Sequence, residues 1–163
     1  MPPWTITPAP PDTPPVAALL WEYVAEVGRR VAGRPATDAE IRAVLARDPH
    51  TGLAPPHGEF LLARTERGAL LGCAGLRLLP ALPGTAELKR MYVRPAHRGT
   101  GLGRALLLAA EESARTLGAT RTVLDTRTGL HEARALYTAH GYRETAPYNT
   151  GGDAEHWYVK ELG

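Results

Sequence analysis

The sequence predicts a mixed α/β sheet in one domain, and three observations carry the prediction. Hydrophobic spacing is helical over residues 16–45 and strand-like over residues 59–93. A glycine-rich turn then leads from the last of those strands into a helix and a further β-branched strand. That unit, Thr85 to Thr126, demands a parallel crossover, whereas the preceding strands are joined by tight turns. Finally, 163 residues, 44% hydrophobic and 22% charged, suffice for one compact core.

Taken in order, Trp4 to Thr7 is a short extended piece, and prolines at 8, 10, 11, 14 and 15 are expected to block regular structure until a helix starts near Val16. Leu19, Leu20, Tyr23, Val24, Val27 and Val31 recur along that helix at one-face spacing. Thr37-Asp38-Ala39-Glu40 has the form of a capping box and opens a second helix with Ile41, Val44 and Leu45. Phe60 to Arg64 and Ala69 to Leu79 form a hairpin about Glu66-Arg67-Gly68. Thr85 to Val93 is the third strand; strict alternation would set Glu87, Lys89, Met91 and Val93 on one face and Leu88, Arg90 and Tyr92 on the other. The next helix carries Leu102, Ala105, Leu106, Ala109, Ser113, Ala114 and Leu117 and stops at Gly118. Thr120 to Thr126 is a strand, Thr128 the expected cap of a helix ending at Gly141, and Tyr142 to Thr145 with Glu155 to Glu161 a terminal hairpin.

Composition excludes several classes. A net charge of +2, with basic and acidic residues interspersed, gives no footprint for nucleic acid. Cys73 is the single cysteine, so no internal disulfide forms, and cytoplasmic residence is the expectation. The start MPPWTITPAPPDTPP lacks a signal peptide's basic and apolar regions, and no run approaches the ~20 apolar residues that span a bilayer, so no membrane partner is expected. The six histidines show no HExxH spacing and no CxxC occurs, which predicts no metal.

The chemistry concentrates at Arg98-Gly99-Thr100-Gly101-Leu102-Gly103-Arg104. A strand that turns through glycines into a helix places backbone N–H groups and the positive end of the helix dipole at one point, where an anion such as a diphosphate can sit. Arg98 and Arg104 flank the turn. A merely tight connection is the competing reading. No GxxxxGK[ST] occurs, which excludes a P-loop. Arg104 stands where a GxGxxG dinucleotide fingerprint needs Gly or Ala; Asp125, at the distance of a ribose-binding acid, leaves a dinucleotide-dependent oxidoreductase as a poor second.

The stretch Glu87-Leu88-Lys89-Arg90-Met91-Tyr92-Val93-Arg94-Pro95-Ala96-His97 and the glycine turn after it resemble the signature of the GNAT superfamily of N-acetyltransferases. Arg98, Gly101 and Gly103 fill the fixed positions of its R/Q-x-x-G-x-G/A motif. Downstream, Glu132-Ala133-Arg134-Ala135-Leu136-Tyr137-Thr138-Ala139-His140-Gly141-Tyr142 is similar to the family's A-x-x-L-Y-x-x-x-G-F/Y block. The ending from Gly141 to Lys160 looks like that of a bacterial small-molecule acetyltransferase subgroup. The resemblance covers essentially the whole chain, residues 1–163. It implies a GNAT-like domain: a mostly antiparallel sheet splayed at one parallel strand pair and flanked by about four helices.

The resemblance also implies roles. Acetyl-CoA is the cosubstrate, with its pantetheine arm along Met91, Tyr92 and Val93 and its diphosphate on Arg98, Gly99, Thr100, Gly101, Leu102, Gly103 and Arg104. Tyr137 matches the family's general acid and Glu87 the position of its carboxylate base, with a water relay as the alternative. Leu130 stands where many relatives have Asn. Glu22, Tyr23, Glu26, Arg90, Tyr148, Asn149, His156 and Trp157 come from elements that shape the acceptor pocket. The acceptor is an amine on a small molecule or peptide, and dimers are frequent in the family, so a homodimer is compatible with the chain. A catalytically weak CoA-binding sensor is the alternative class.

Overall fold

The computed structural model describes residues 3–50, 52–150 and 152–163. Met1, Pro2, Thr51 and Gly151, the last in the expected terminal connection, lie outside the described residues. Strands β1 (Thr5–Pro8), β2 (Gly58–Arg64), β3 (Leu70–Leu78), β4 (Thr85–Val93), β5 (Arg121–Thr126), β6 (Arg143–Glu144) and β7 (His156–Glu161) form one sheet in the order β1-β2-β3-β4-β5-β7-β6. Its helices are α1 (Pro14–Ala32), α2 (Asp38–Arg47), α3 (Leu102–Thr116) and α4 (His131–Ala139). Among the described residues the one parallel pair is β4 with β5, as the crossover argument requires.

Two cores sandwich the sheet. On one face α3 buries Leu102, Leu106, Leu107, Ala110 and Ala114 against Leu61, Leu76, Ala86 and Leu88, with Tyr137 of α4 in the same cluster. On the other, Val16, Leu19 and Leu20 of α1 pack on Phe60, Leu62, Cys73 and Tyr92. The glycine turn therefore feeds a helix on one face while α1 covers the other, and the parallel pair runs between them.

Three expectations are corrected. Helix α1 begins at Pro14, two residues before Val16, because Thr13 is its N-cap and prolines in the first turn lack only N–H groups that have no helical partner there. Helix α4 is not capped by Thr128. Leu130 is its N-cap, and the Thr128 hydroxyl lies 3.0 Å from His156 Nε2. The strict alternation of β4 also fails. Cys73 pairs with Tyr92 and Gly75 with Lys89, so Arg90 and Met91 together face only Ala74. This bulge shifts the side-chain parity: Leu88, Met91 and Val93 pack on the α3 side, while Tyr92 packs on the α1 side.

The capping box of α2 forms as expected, with Glu40 N donating to Thr37 Oγ1 at 3.2 Å and Thr37 N donating to Glu40 Oε1 at 3.0 Å. Thr37→Ala is expected to cost about 1 kcal/mol in urea denaturation, through loss of one cap bond. No helix among the described residues is long and apolar enough to cross a membrane.

Candidate active site

Strands β4 and β5 pair over only three positions, Thr85 with Arg121, Ala86 with Thr122 and Glu87 with Val123. Beyond these, β4 follows β3 to Val93, and β5 follows β7 to the pairing of Thr126 with His156. The two strands part, and backbone groups on the β5 side of Leu88 to Val93 are left without a strand partner. At the fork Arg90 has φ 58°, a left-handed conformation that a non-glycine side chain adopts at a cost. Its buried guanidinium is anchored by donation to the Asp48 carbonyl and, at 3.4 Å, to His50 Nδ1, while its own carbonyl accepts from Cys73 Sγ at 3.1 Å. The C-terminal end of α2 thus holds the bulge that opens the sheet. Burial and the neighbouring Arg90 cation lower the His50 pKa, consistent with an acceptor nitrogen.

A cavity of about 380 Å³ fills the notch. One end is the turn after β4. Gly99 (φ 76°) and Gly101 (φ 89°) both take left-handed backbone, and Gly101 is the N-cap of α3. No side chain caps the helix and no acid stands in its first turn, so its leading amides present donors and a partial positive charge to the cavity. Such donors could hold a diphosphate. Replacing Gly101 by Val forces a β-branched residue into left-handed backbone. We expect roughly tenfold or greater loss of CoA affinity by calorimetry.

Tyr137 and Asp125 also line the cavity. Tyr137 is 6% exposed, its ring 5.7 Å from Tyr142 and 6.2 Å from Tyr158, and burial pushes its phenol pKa up. Asp125 lines the cavity, and burial raises its carboxyl pKa, the nearby Glu87 charge adding to the shift. Asn149 Nδ2 donates to Asp125 Oδ2 at 2.7 Å, and Trp157 Nε1 donates to Asn149 Oδ1 at 2.9 Å.

A family model described as the Acetyltransferase (GNAT) family matches residues 17–142, from α1 through the start of the last hairpin. The chain belongs to this family. An uncharacterized N-acetyltransferase of Schizosaccharomyces pombe is 35% identical over 85% of this chain and 81% of its own length. The Escherichia coli N-acetyltransferase YjgM is 41% identical over 80% of this chain and 76% of its own. A crystal structure from Klebsiella pneumoniae covers 98% of each chain at 29% identity with a TM-score of 0.72.

In this GNAT acetyltransferase the residues expected at the site are distributed unevenly. Met91, Tyr92, Val93, Arg98, Gly99, Gly101, Gly103, Arg104 and Tyr137 all line the cavity. Leu102 does not; it is 1% exposed within the α3 core. Thr100 turns its hydroxyl inward, donating to the His97 carbonyl at 2.7 Å. The guanidinium of Arg98 is committed to the Val93 carbonyl at 2.9 Å and to Glu26 of α1, so it braces the turn.

Glu87 lies before the fork, 3% exposed and outside the cavity wall. Its Oε1 is held by Arg77 at 2.9 Å and its Oε2 accepts from the Tyr148 hydroxyl at 2.7 Å. Among the acceptor-pocket candidates, Tyr23, Glu26 and Arg90 line the cavity, and Tyr148 and Asn149 grip the carboxylates of β4 and β5. Trp157 backs Asn149, whereas His156 is held between Thr128 and Glu144, and Glu22 pairs with Arg94. Leu130 does line the cavity. Sequence reasoning weighed Asp125 only as a ribose ligand. The signal that could have found it was a lone acid in the apolar, β-branched run Thr122 to Thr126, where an unpaired charge is costly.

Proposed function

We propose that this enzyme transfers an acetyl group from acetyl-CoA to a primary amine of a small molecule or peptide by direct attack within a ternary complex. The observation that carries the reading is one cavity lined both by the uncapped start of α3 and by the Asp125 carboxylate and the Tyr137 phenol. Bound in the notch, acetyl-CoA supplies the activated acetyl group and a thiolate leaving group. Over Met91, Tyr92 and Val93 the β5-facing edge of β4 has no strand partner, and an N–H on that edge can polarise the thioester carbonyl.

Asp125 takes the proton released as the amine nitrogen forms its bond to the acetyl carbon; a carboxyl with a raised pKa suits that task better than an ordinary one. Tyr137 gives its proton to the departing sulfur. Glu87, the base expected from the resemblance, acts here as a positioning residue that fixes Tyr148 beside Asn149 and so orients Asp125. Direct attack is supported by Cys73, which is fully buried, absent from the cavity wall and pushed up to about 12. A thiol-release assay with acetyl-CoA over amine classes tests the reading, and acetyl-CoA binding without release on any amine would overturn it.

A further inference from the structure

We propose that Arg90 is a positioning residue for acetyl transfer: its guanidinium fastens the β4 bulge to the C-terminal end of α2 and so aims the Met91 N–H at the thioester carbonyl. The inference rests on the acetyl-transfer reading above and deepens it, giving a donor-side task to a residue whose element the resemblance links to the acceptor pocket. Arg90 and Met91 both line the cavity at the fork.

Backbone and side chain conflict at this position. Among the described residues Arg90 is the one non-glycine with positive φ, a conformation that glycine adopts without steric cost. A bend alone would favour glycine there. Arginine is present instead, and its buried side chain is spent on the end of α2: Nη2 donates to the carbonyl of Asp48, the C-cap residue, and Nε donates to His50 Nδ1. Helix ends carry carbonyls without helical partners and the negative end of the dipole, so a cation suits this place. Charge balance does not require it, because Lys89 Nζ already lies 2.6 Å from Asp48 Oδ2, against 3.4 Å for Arg90. What Arg90 adds is a tie between the bulge and α2.

That tie acts on one peptide unit. The Arg90 carbonyl accepts from Cys73 Sγ of β3 at 3.1 Å, and in a trans peptide the following N–H, that of Met91, points the opposite way, towards the side where β5 parts from β4. The alternation beyond the bulge agrees. Arg94 N donates to the Leu71 carbonyl of β3 at 2.9 Å, which turns Val93, and two residues earlier Met91, to the other edge; Arg98 Nε meets the Val93 carbonyl there at 2.9 Å. Cys73 thus holds the carbonyl end of the peptide and the guanidinium holds the residue before it, so the N–H has a fixed direction. Without the tie residue 90 is free to leave the left-handed region, and the N–H turns with it.

Infrared difference spectroscopy of acetyl-CoA isotopically labelled at the acetyl carbonyl carbon, bound to the enzyme without acceptor, reads that hydrogen bond directly. In the wild type the carbonyl band is expected below its position in free acetyl-CoA. Arg90→Gly, which suits the left-handed backbone and deletes the tie, and Arg90→Met, which keeps an apolar stem without a donor, are each expected to return the band towards the free position. Calorimetric CoA affinity should stay within about twofold while kcat falls about tenfold or more, because a misaimed oxyanion donor costs the transition state rather than binding. A role in the bend or in packing alone predicts the reverse, an unchanged band and an Arg90→Gly enzyme as active as the wild type. An unshifted band in the wild type, or the wild-type band position in either variant, overturns the inference. Thiol release over amine classes separates the two claims. An Arg90-dependent band without release on any amine overturns the transfer reading alone, and release with a band indifferent to Arg90 overturns this inference alone.

Discussion

Tyr137→Phe is expected to lower kcat by roughly 10²- to 10⁴-fold, the range for loss of a general acid, while leaving acetyl-CoA affinity within about twofold. The substitution removes one oxygen from a ring already packed between Tyr142 and Tyr158, so the cluster keeps its apolar contacts. Burial raises the phenol pKa further above its ordinary value, so Tyr137 stays protonated across the working pH range. A phenol in that state can donate but cannot act as a base, and the alkaline limb of the pH profile should be the same in both proteins. Steady-state kinetics beside calorimetric CoA binding make the measurement. A core role without chemistry predicts a lower melting temperature and an unchanged kcat, the opposite pattern.

Asp125→Asn is expected to reduce kcat/KM by a similar ~10²- to 10⁴-fold and to remove the acid limb of the wild-type pH profile. That limb should lie above the ordinary aspartate range, because burial and the Glu87 charge both disfavour the ionised form. The effect on stability has the other sign. The carboxyl titrates at higher pH in the folded chain than in the unfolded one, so between those two values the folded state binds the extra proton. Stability falls as pH rises across that window, and at neutral pH the ionised group is a net cost. The Asn variant keeps an oxygen to accept from Asn149 and carries no charge. It should therefore unfold at an equal or higher urea concentration at pH 7 while losing activity, a combination that a structural role for Asp125 does not give.

Much of the cavity lining was legible in the sequence, and the reasons differ by residue. Gly99 and Gly101 were readable because left-handed backbone selects glycine locally, whatever surrounds it. Tyr137 was readable only through its block, since its position on the apolar stripe with Ala133 and Leu136 equally describes a core residue. Arg98 shows the limit of motif reading. Its place beside the turn is local, but its guanidinium is claimed by Glu26, seventy-two positions earlier in the chain. The β4 bulge was hidden because alternation in one strand says nothing of the register its neighbour imposes.

By itself the sequence determined the element order, the parallel crossover, the glycine turn into α3 and the family resemblance, because these depend on periodicity, backbone preference and residues adjacent in the chain. Tertiary structure decided which carboxylate faces the cavity. Glu87 and Asp125 sit on neighbouring parallel strands, one before the fork and one beyond it. The first is spent on Arg77 and Tyr148; the second lines the cavity and, among the described residues, has Asn149 as its one side-chain partner. Long-range pairing sets that difference, through desolvation and partner supply, and no local pattern in the chain encodes it.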